Sequence, residues 1–144
     1  DGVFQGYWVD NVINLKSSFS HATYPNHADL EGAITFIPNE MQLYLKRMDL
    51  TALDKFWQLQ TESMIHFKGD DIIFDGLTLT NEAQFLSVVG EYSDNSNKAI
   101  NFNIRNFNVN SLTSLTQGNY SGIANADLSI KKLKTGLLIS ILYF

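Results

Sequence analysis

Isoleucine, phenylalanine and isoleucine stand at 100, 102 and 104, with asparagine between them at 101 and 103. Apolar residues at every second position all turn to one side of a β-strand, because successive side chains of a strand point to opposite faces. The pattern calls for a sheet that is dry on one face only and argues against a parallel sheet buried on both. Ala124, Ala126, Leu128 and Ile130 repeat it against Asn125, Asp127, Ser129 and Lys131, and Leu43 and Leu45 begin a third such run. The small residues at 124 and 126 imply that something packs close to them.

One stretch recurs along the chain. Aligned without a gap at an offset of 59 residues, Leu45 meets Ile104, Met48 meets Phe107, Leu50 meets Val109, Leu53 meets Leu112 and Phe56 meets Leu115. Lys46 is answered by Arg105, and Asp49 by Asn108. Beyond Leu50 the spacing Leu50, Leu53, Phe56, Trp57 is that of a helical turn, so each copy is expected to run from a strand into a short helix. Thr51 with Asp54 fits a capping box, and Asn110 and Ser111 offer a cap to the second copy. A unit with a single apolar face buries it by stacking, so two related units, around 30–90 and 91–144, are expected within one domain spanning 1–144.

The remaining segments read as short strands between turns. Gly6 to His21 is expected as one strand, and Tyr24 to Asp29, with Pro25 and Asn26, as a turn. Ala33 to Ile37, closed by Pro38-Asn39-Glu40, forms a hairpin with Met41 to Leu50. Met64 to Phe67 and Ile72 to Leu79 flank Lys68-Gly69-Asp70-Asp71, where glycine supplies a positive φ. The apolar end, Leu137 to Phe144, is shorter than the ~20 residues of a membrane helix and is expected as a buried strand. Ten Phe and six Tyr against two Pro favour strands further. The expected fold is all-β with one or two very short helices, too little cover for so many strands, so the sheet either curls on itself or leaves an apolar groove.

Composition removes several function classes. A net charge of -5 leaves no basic face to displace counterions from nucleic acid, and the one cluster of positives is Lys131, Lys132 and Lys134. No cysteine is present, which excludes disulfides and thiolate chemistry. His21 and His27 flank a proline turn without metal-ligand spacing and are expected as exposed loop histidines, while His66, between Ile65 and Phe67, faces the wet side. Asp70, Asp71 and Asp75 do not fit the twelve-residue calcium loop and read as a solvated hairpin tip. No phosphate loop, nucleophile elbow or supported catalytic triad occurs, so neither enzyme activity, metal nor cofactor is expected. The candidate surface is instead the inward apolar set: Ile34, Phe36, Leu43, Leu45, Leu50, Ile72, Phe74, Leu77, Leu79, Phe102, Ile104, Val109 and Leu128. Such residues either fill a closed core or line a groove that accepts lipid.

From Asn103-Ile104-Arg105 through Leu112, and again over Gly118-Asn-Tyr-Ser-Gly122-Ile-Ala-Asn-Ala-Asp-Leu-Ser-Ile130, the sequence resembles the repeats of TamB proteins of the AsmA-like superfamily, in their Bacteroidetes form. Ile72-Ile-Phe-Asp-Gly-Leu-Thr-Leu-Thr-Asn81 and Val89-Gly90-Glu-Tyr92 fall in the order that family shows, and the likeness covers about Leu30 to Ile130. The resemblance implies a half-open, taco-shaped β-structure with an apolar concave face, belonging to a longer periplasm-spanning protein of a Gram-negative envelope. It implies non-catalytic movement of phospholipid between inner and outer membranes and a part in outer-membrane biogenesis. The implied partners are phospholipid acyl chains and an outer-membrane barrel protein, and the edge strands of the isolated piece are expected to self-associate. The start at Asp-Gly-Val-Phe, neither an initiator methionine nor a signal sequence, is read as that of an excised or processed piece, and the lack of the family's membrane anchor is a departure from its pattern. A structural or adhesive β-repeat, closed inside and binding protein or glycan on its outer face, is the competing expectation.

Overall fold

The computed structural model describes residues 1–21, 26–52, 55–113, 118–133 and 136–143. Leu53, Asp54, Leu115, the Tyr24–Pro25 turn, Lys134 and Phe144 lie outside the described residues. Eleven strands form one antiparallel sheet: β1 (Gly2–Val9), β2 (Val12–Ser20), β3 (His27–Ile37), β4 (Glu40–Ala52), β5 (Lys55–Leu59), β6 (Ser63–Lys68), β7 (Asp71–Asn81), β8 (Gln84–Tyr92), β9 (Ile100–Asn108), β10 (Ile123–Leu133) and β11 (Gly136–Tyr143). The order is a plain meander, except that β5 and β6 share one place between β4 and β7. Apart from β5 and β6, which do not pair with each other, each strand therefore pairs with its neighbours in sequence, and two-residue hairpin loops suffice at four of the turns among the described residues. Asp10, Gly69 and Glu82 open three of those loops at φ of 52, 60 and 51°, the left-handed backbone at the first loop position that matches the twist of the flanking strands, while in the fourth Asn39, at 63°, follows Pro38.

Several expectations are corrected by this arrangement. Gly6 to His21 is two strands, not one, because Asp10-Asn11 supplies a hairpin turn. His27 to Asp29 belongs to β3 and not to a turn, its backbone paired on both sides. The first repeat does not pass into a helix. β4 continues through Thr51, which pairs with Phe56 of β5; the ladder satisfies backbone groups that a single helical turn would leave open, and Thr, Phe and Trp favour strand.

The second copy does run from strand into a 3₁₀-helix, Val109–Leu112, capped by Asn108, whose Oδ1 accepts from the Asn110 amide at 3.0 Å. What the two copies share is a bulge. In β4 the register shifts at Lys46, opposite Glu31 and Gly32, and in β9 it shifts at Arg105 and Asn106, opposite Ala124 to Ala126. Lys46 and Arg105 are the aligned residues of the repeat. A third bulge at Asp75-Gly76 interrupts β7 between Phe74 and Leu77. Bulges bend a strand and sharpen its twist.

The sheet curls toward its apolar side. Trp57 of β5 and Phe107 of β9 stack with ring centroids 6.3 Å apart, although β7 and β8 lie between them; a flat sheet would hold those strands about 14 Å apart. Trp8 and Phe36 meet similarly across β2, at 6.2 Å. The curl does not close. Accessible surface is 9381 Å², where a compact monomer of 16.3 kDa exposes about 7,500 Å². Among the described residues only Leu45, Trp57, Ile65 and Ile100 are buried hydrophobics. The expectation of a buried C-terminal strand fails with it: β11 is exposed along its whole length, because it is the last strand of the sheet and nothing pairs with its outer edge.

Candidate functional site: the apolar face

Residues directly opposite one another on paired strands share a face, so the register gives the content of each side. One row runs from Trp8 through Ile13, Ile34, Leu43, Ile65 and Phe74, past Gly90, to Ile100, Ile130 and Ile139. It crosses the whole sheet without a polar side chain. Beside it lie Phe36, Met41, Phe67, Ile72 and Tyr92. On its other side come Leu77, Val88, Phe102, Leu128 and Ile141, followed by Leu59, Leu79, Leu86, Ile104, Ala126 and Tyr143.

The expected inward residues Ile34, Phe36, Leu43, Leu45, Leu50, Ile72, Phe74, Leu77, Leu79, Phe102, Ile104 and Leu128 are thus all brought to this one face. Val109 is not: it opens the 3₁₀-helix after β9 ends at Asn108 and so has left the strand alternation. Sequence reasoning missed Trp8, Ile13 and the other inner residues of β1 and β2, because one strand drawn through the Asp10 turn scrambles their period. Ile65, Ile100 and Ile130 carried the signal plainly and belong with the set.

Two glycines shape the floor. Gly90 interrupts the long row at φ +113°, and a β-carbon there would meet the Ala99 carbonyl oxygen at 2.1 Å. Gly32 lies against the Lys46 bulge, where a β-carbon would meet the Tyr44 carbonyl oxygen at 2.2 Å. At one end the trough is tied by buried Gln84, whose Nε2 donates to Asn81 Oδ1 at 2.8 Å and whose Oε1 accepts from the Asn108 amide at 2.7 Å. The Trp57–Phe107 stack lies nearby.

The opposite face carries the charge. Lys46 pairs with Glu31 at 2.6 Å and Arg105 with Asp127 at 2.6 Å. His66 sits between two carboxylates, Nδ1 at 2.6 Å from Glu40 Oε1 and Nε2 at 2.8 Å from Asp75 Oδ2, and Lys68 approaches Glu40 Oε2 at 3.3 Å. The hydrogen bond from His66 is the main cause holding the Glu40 carboxyl down to about 2, and Glu40 in turn raises His66. His66 therefore faces the wet side as expected, and Asp75 is its partner there rather than part of a free hairpin tip. His27 is a strand residue, 2.9 Å from Asp29 Oδ2. Among the described residues no group of His, Asp and Glu is arranged to hold a metal ion, and no helix is long and apolar enough to cross a membrane.

The arrangement can do one thing well: offer a long, concave hydrocarbon surface walled by a charged exterior. An exposed apolar face of this extent marks an interaction site in a folded protein. No protein-family model, curated protein or solved structure matches the chain.

Proposed function

We propose that the chain is a non-catalytic lipid-binding module in which the curled sheet holds phospholipid acyl chains against its apolar face. The observation that carries this is the row from Trp8 to Ile139, free of polar side chains, on the concave side of a sheet that does not close on itself. Each methylene moved from water onto such a face contributes about 0.8 kcal/mol, so an acyl chain binds by area and not by a specific bond. Along the strands, the inner positions from Lys132 to Ala126 extend about 20 Å, against about 15 Å for one leaflet of a 30 Å hydrocarbon core. An acyl chain therefore fits lengthwise.

Because adjacent rows are alike, a chain can shift from one to the next without leaving a single tight site, the property a conduit needs. The resemblance to TamB repeats points the same way, toward a periplasmic, envelope-spanning protein that moves phospholipid between membranes and supports outer-membrane biogenesis, with an outer-membrane barrel as its partner. A closed-core adhesive repeat fits less well, since so few side chains are enclosed.

The test is titration with a fluorescent-tail phospholipid. The parent is expected to bind, Phe102→Asp at least about tenfold more weakly by loss of apolar area and burial of a charge, and Asn103→Asp, one residue along on the outer face, like the parent. Equal binding by parent and Phe102→Asp, with unchanged circular dichroism, would remove the groove from that position.

A further inference from the structure

The chain has 15 Asp and Glu residues, yet the register places none at an inward strand position among the described residues. Among the described residues only two charged residues share the parity of the apolar face, and both are cations at strand ends: Lys55, the first residue of β5, and Lys132, at the opposite end. In an acidic protein the inward strand positions thus favour anions over cations, although at the Lys132 rim the loop carboxylates of Asp94 and Asp70 act on the ammonium from outside the face.

Lys132 is the more developed of the two. It follows Ile130 on the inner side of β10, pairs across the ladder with Leu137, and holds its Nζ 5.6 Å from the centre of the Tyr92 ring, another inner residue. Its stem is largely covered, 27% of the side chain being exposed, while its ion-pair partner Asp94, 2.8 Å away, is 81% exposed and sits in the loop before β9. The aromatic face holds the ammonium in place, and its partial desolvation strengthens its attraction for an anion. The carboxylate that neutralises Lys132 belongs to the exposed loop residue Asp94 and is cheaply displaced, since an exposed ion pair is worth little.

On the reading of the face as an acyl-chain surface, we infer that Lys132 and Tyr92 form the seat of an anionic phosphate headgroup, whose acyl chains run from that rim over Ile130, Leu128 and Phe102. The phosphate takes the place of the Asp94 carboxylate on Nζ, and Asp94 acts as an internal competitor for it. The module thereby prefers an amphiphile with an anionic head to a neutral one with the same tails, and it fixes which end of the lipid stands at this rim.

The experiment is calorimetric titration of the chain with three probes: dihexanoyl phosphatidic acid, dihexanoylglycerol with the same tails, and inorganic phosphate. The parent is expected to bind the phosphatidic acid about tenfold or more tighter than dihexanoylglycerol, and inorganic phosphate weakly or not at all. Lys132→Gln should abolish that preference while keeping dihexanoylglycerol affinity, Lys132→Arg should retain it, and Asp94→Asn, at an exposed loop position, should increase it severalfold. Equal preference in Lys132→Gln or no gain in Asp94→Asn overturns the headgroup seat while leaving the acyl surface standing. Tight Lys132-dependent binding of inorganic phosphate alone overturns it too, because the site would then read free phosphate and not a lipid. Failure of the parent to bind either amphiphile overturns the lipid reading itself.

Discussion

His66 shows most clearly what a single side chain contributes here. Flanked by Glu40 and Asp75, it has a raised pKa, so its pairing stabilises the fold in full below the ordinary 6.5 and is lost as pH rises through the folded value. Glu40 runs the other way: with its pKa lowered from 4.5 to about 2, its contribution is present above 4.5 and is lost as pH falls toward 2. The cluster, which pins β4, β6 and β7 beside the Asp75-Gly76 bulge, therefore favours the window between. Thermal unfolding should show the midpoint falling as pH rises above the ordinary 6.5, and His66→Gln should flatten that fall; an unchanged pH slope in the variant would mean the cluster is not the source. At this scale the sequence was informative about sides and silent about partners. That His66 points away from Ile65 and Phe67 follows from alternation alone, whereas Glu40 lies 26 residues away and reaches it only through the pairing of β4 with β6.

Among the elements, the strand that replaces the expected first helix matters most. β5 places Trp57, 3% exposed, against Phe107 across two intervening strands and thereby fixes the curl. Trp57→Ala should cost about 3–5 kcal/mol in urea unfolding and open the trough; a loss below about 1 kcal/mol would put the origin of the curl in the bulges alone. The repeat itself was legible, but its meaning was not: spacing of three and four around Leu50 and Phe56 imitates a helix, while the feature shared by both copies is a bulge at Lys46 and Arg105. A bulge leaves no periodic trace beyond one skipped residue. The edges are a second element-scale matter. Neither β1 nor β11 holds a charged residue or a proline, the devices that keep open edges apart. Sedimentation should show association rising with concentration, and Leu138→Lys with Leu142→Lys in β11 should suppress it; persistence of the association in that double variant would point to contact through the faces instead.

For the whole molecule, the all-β class and the one-sided sheet were readable because alternation is local, and a meander adds little that is not local. Whether the sheet closes was not readable, since that depends on curvature summed over eleven strands and on where three bulges fall. Because the sheet stays open, its apolar face is free to take lipid. The most direct measurement of that uptake is site-specific photocrosslinking to phospholipid, with a benzophenone amino acid placed in turn at Phe102, Asn103, Leu128 and Ser129. Phospholipid adducts from 102 and 128, on the apolar face, with none from 103 and 129, on the charged face, are the expected result. Adducts of equal yield from all four positions, or from none, would contradict it.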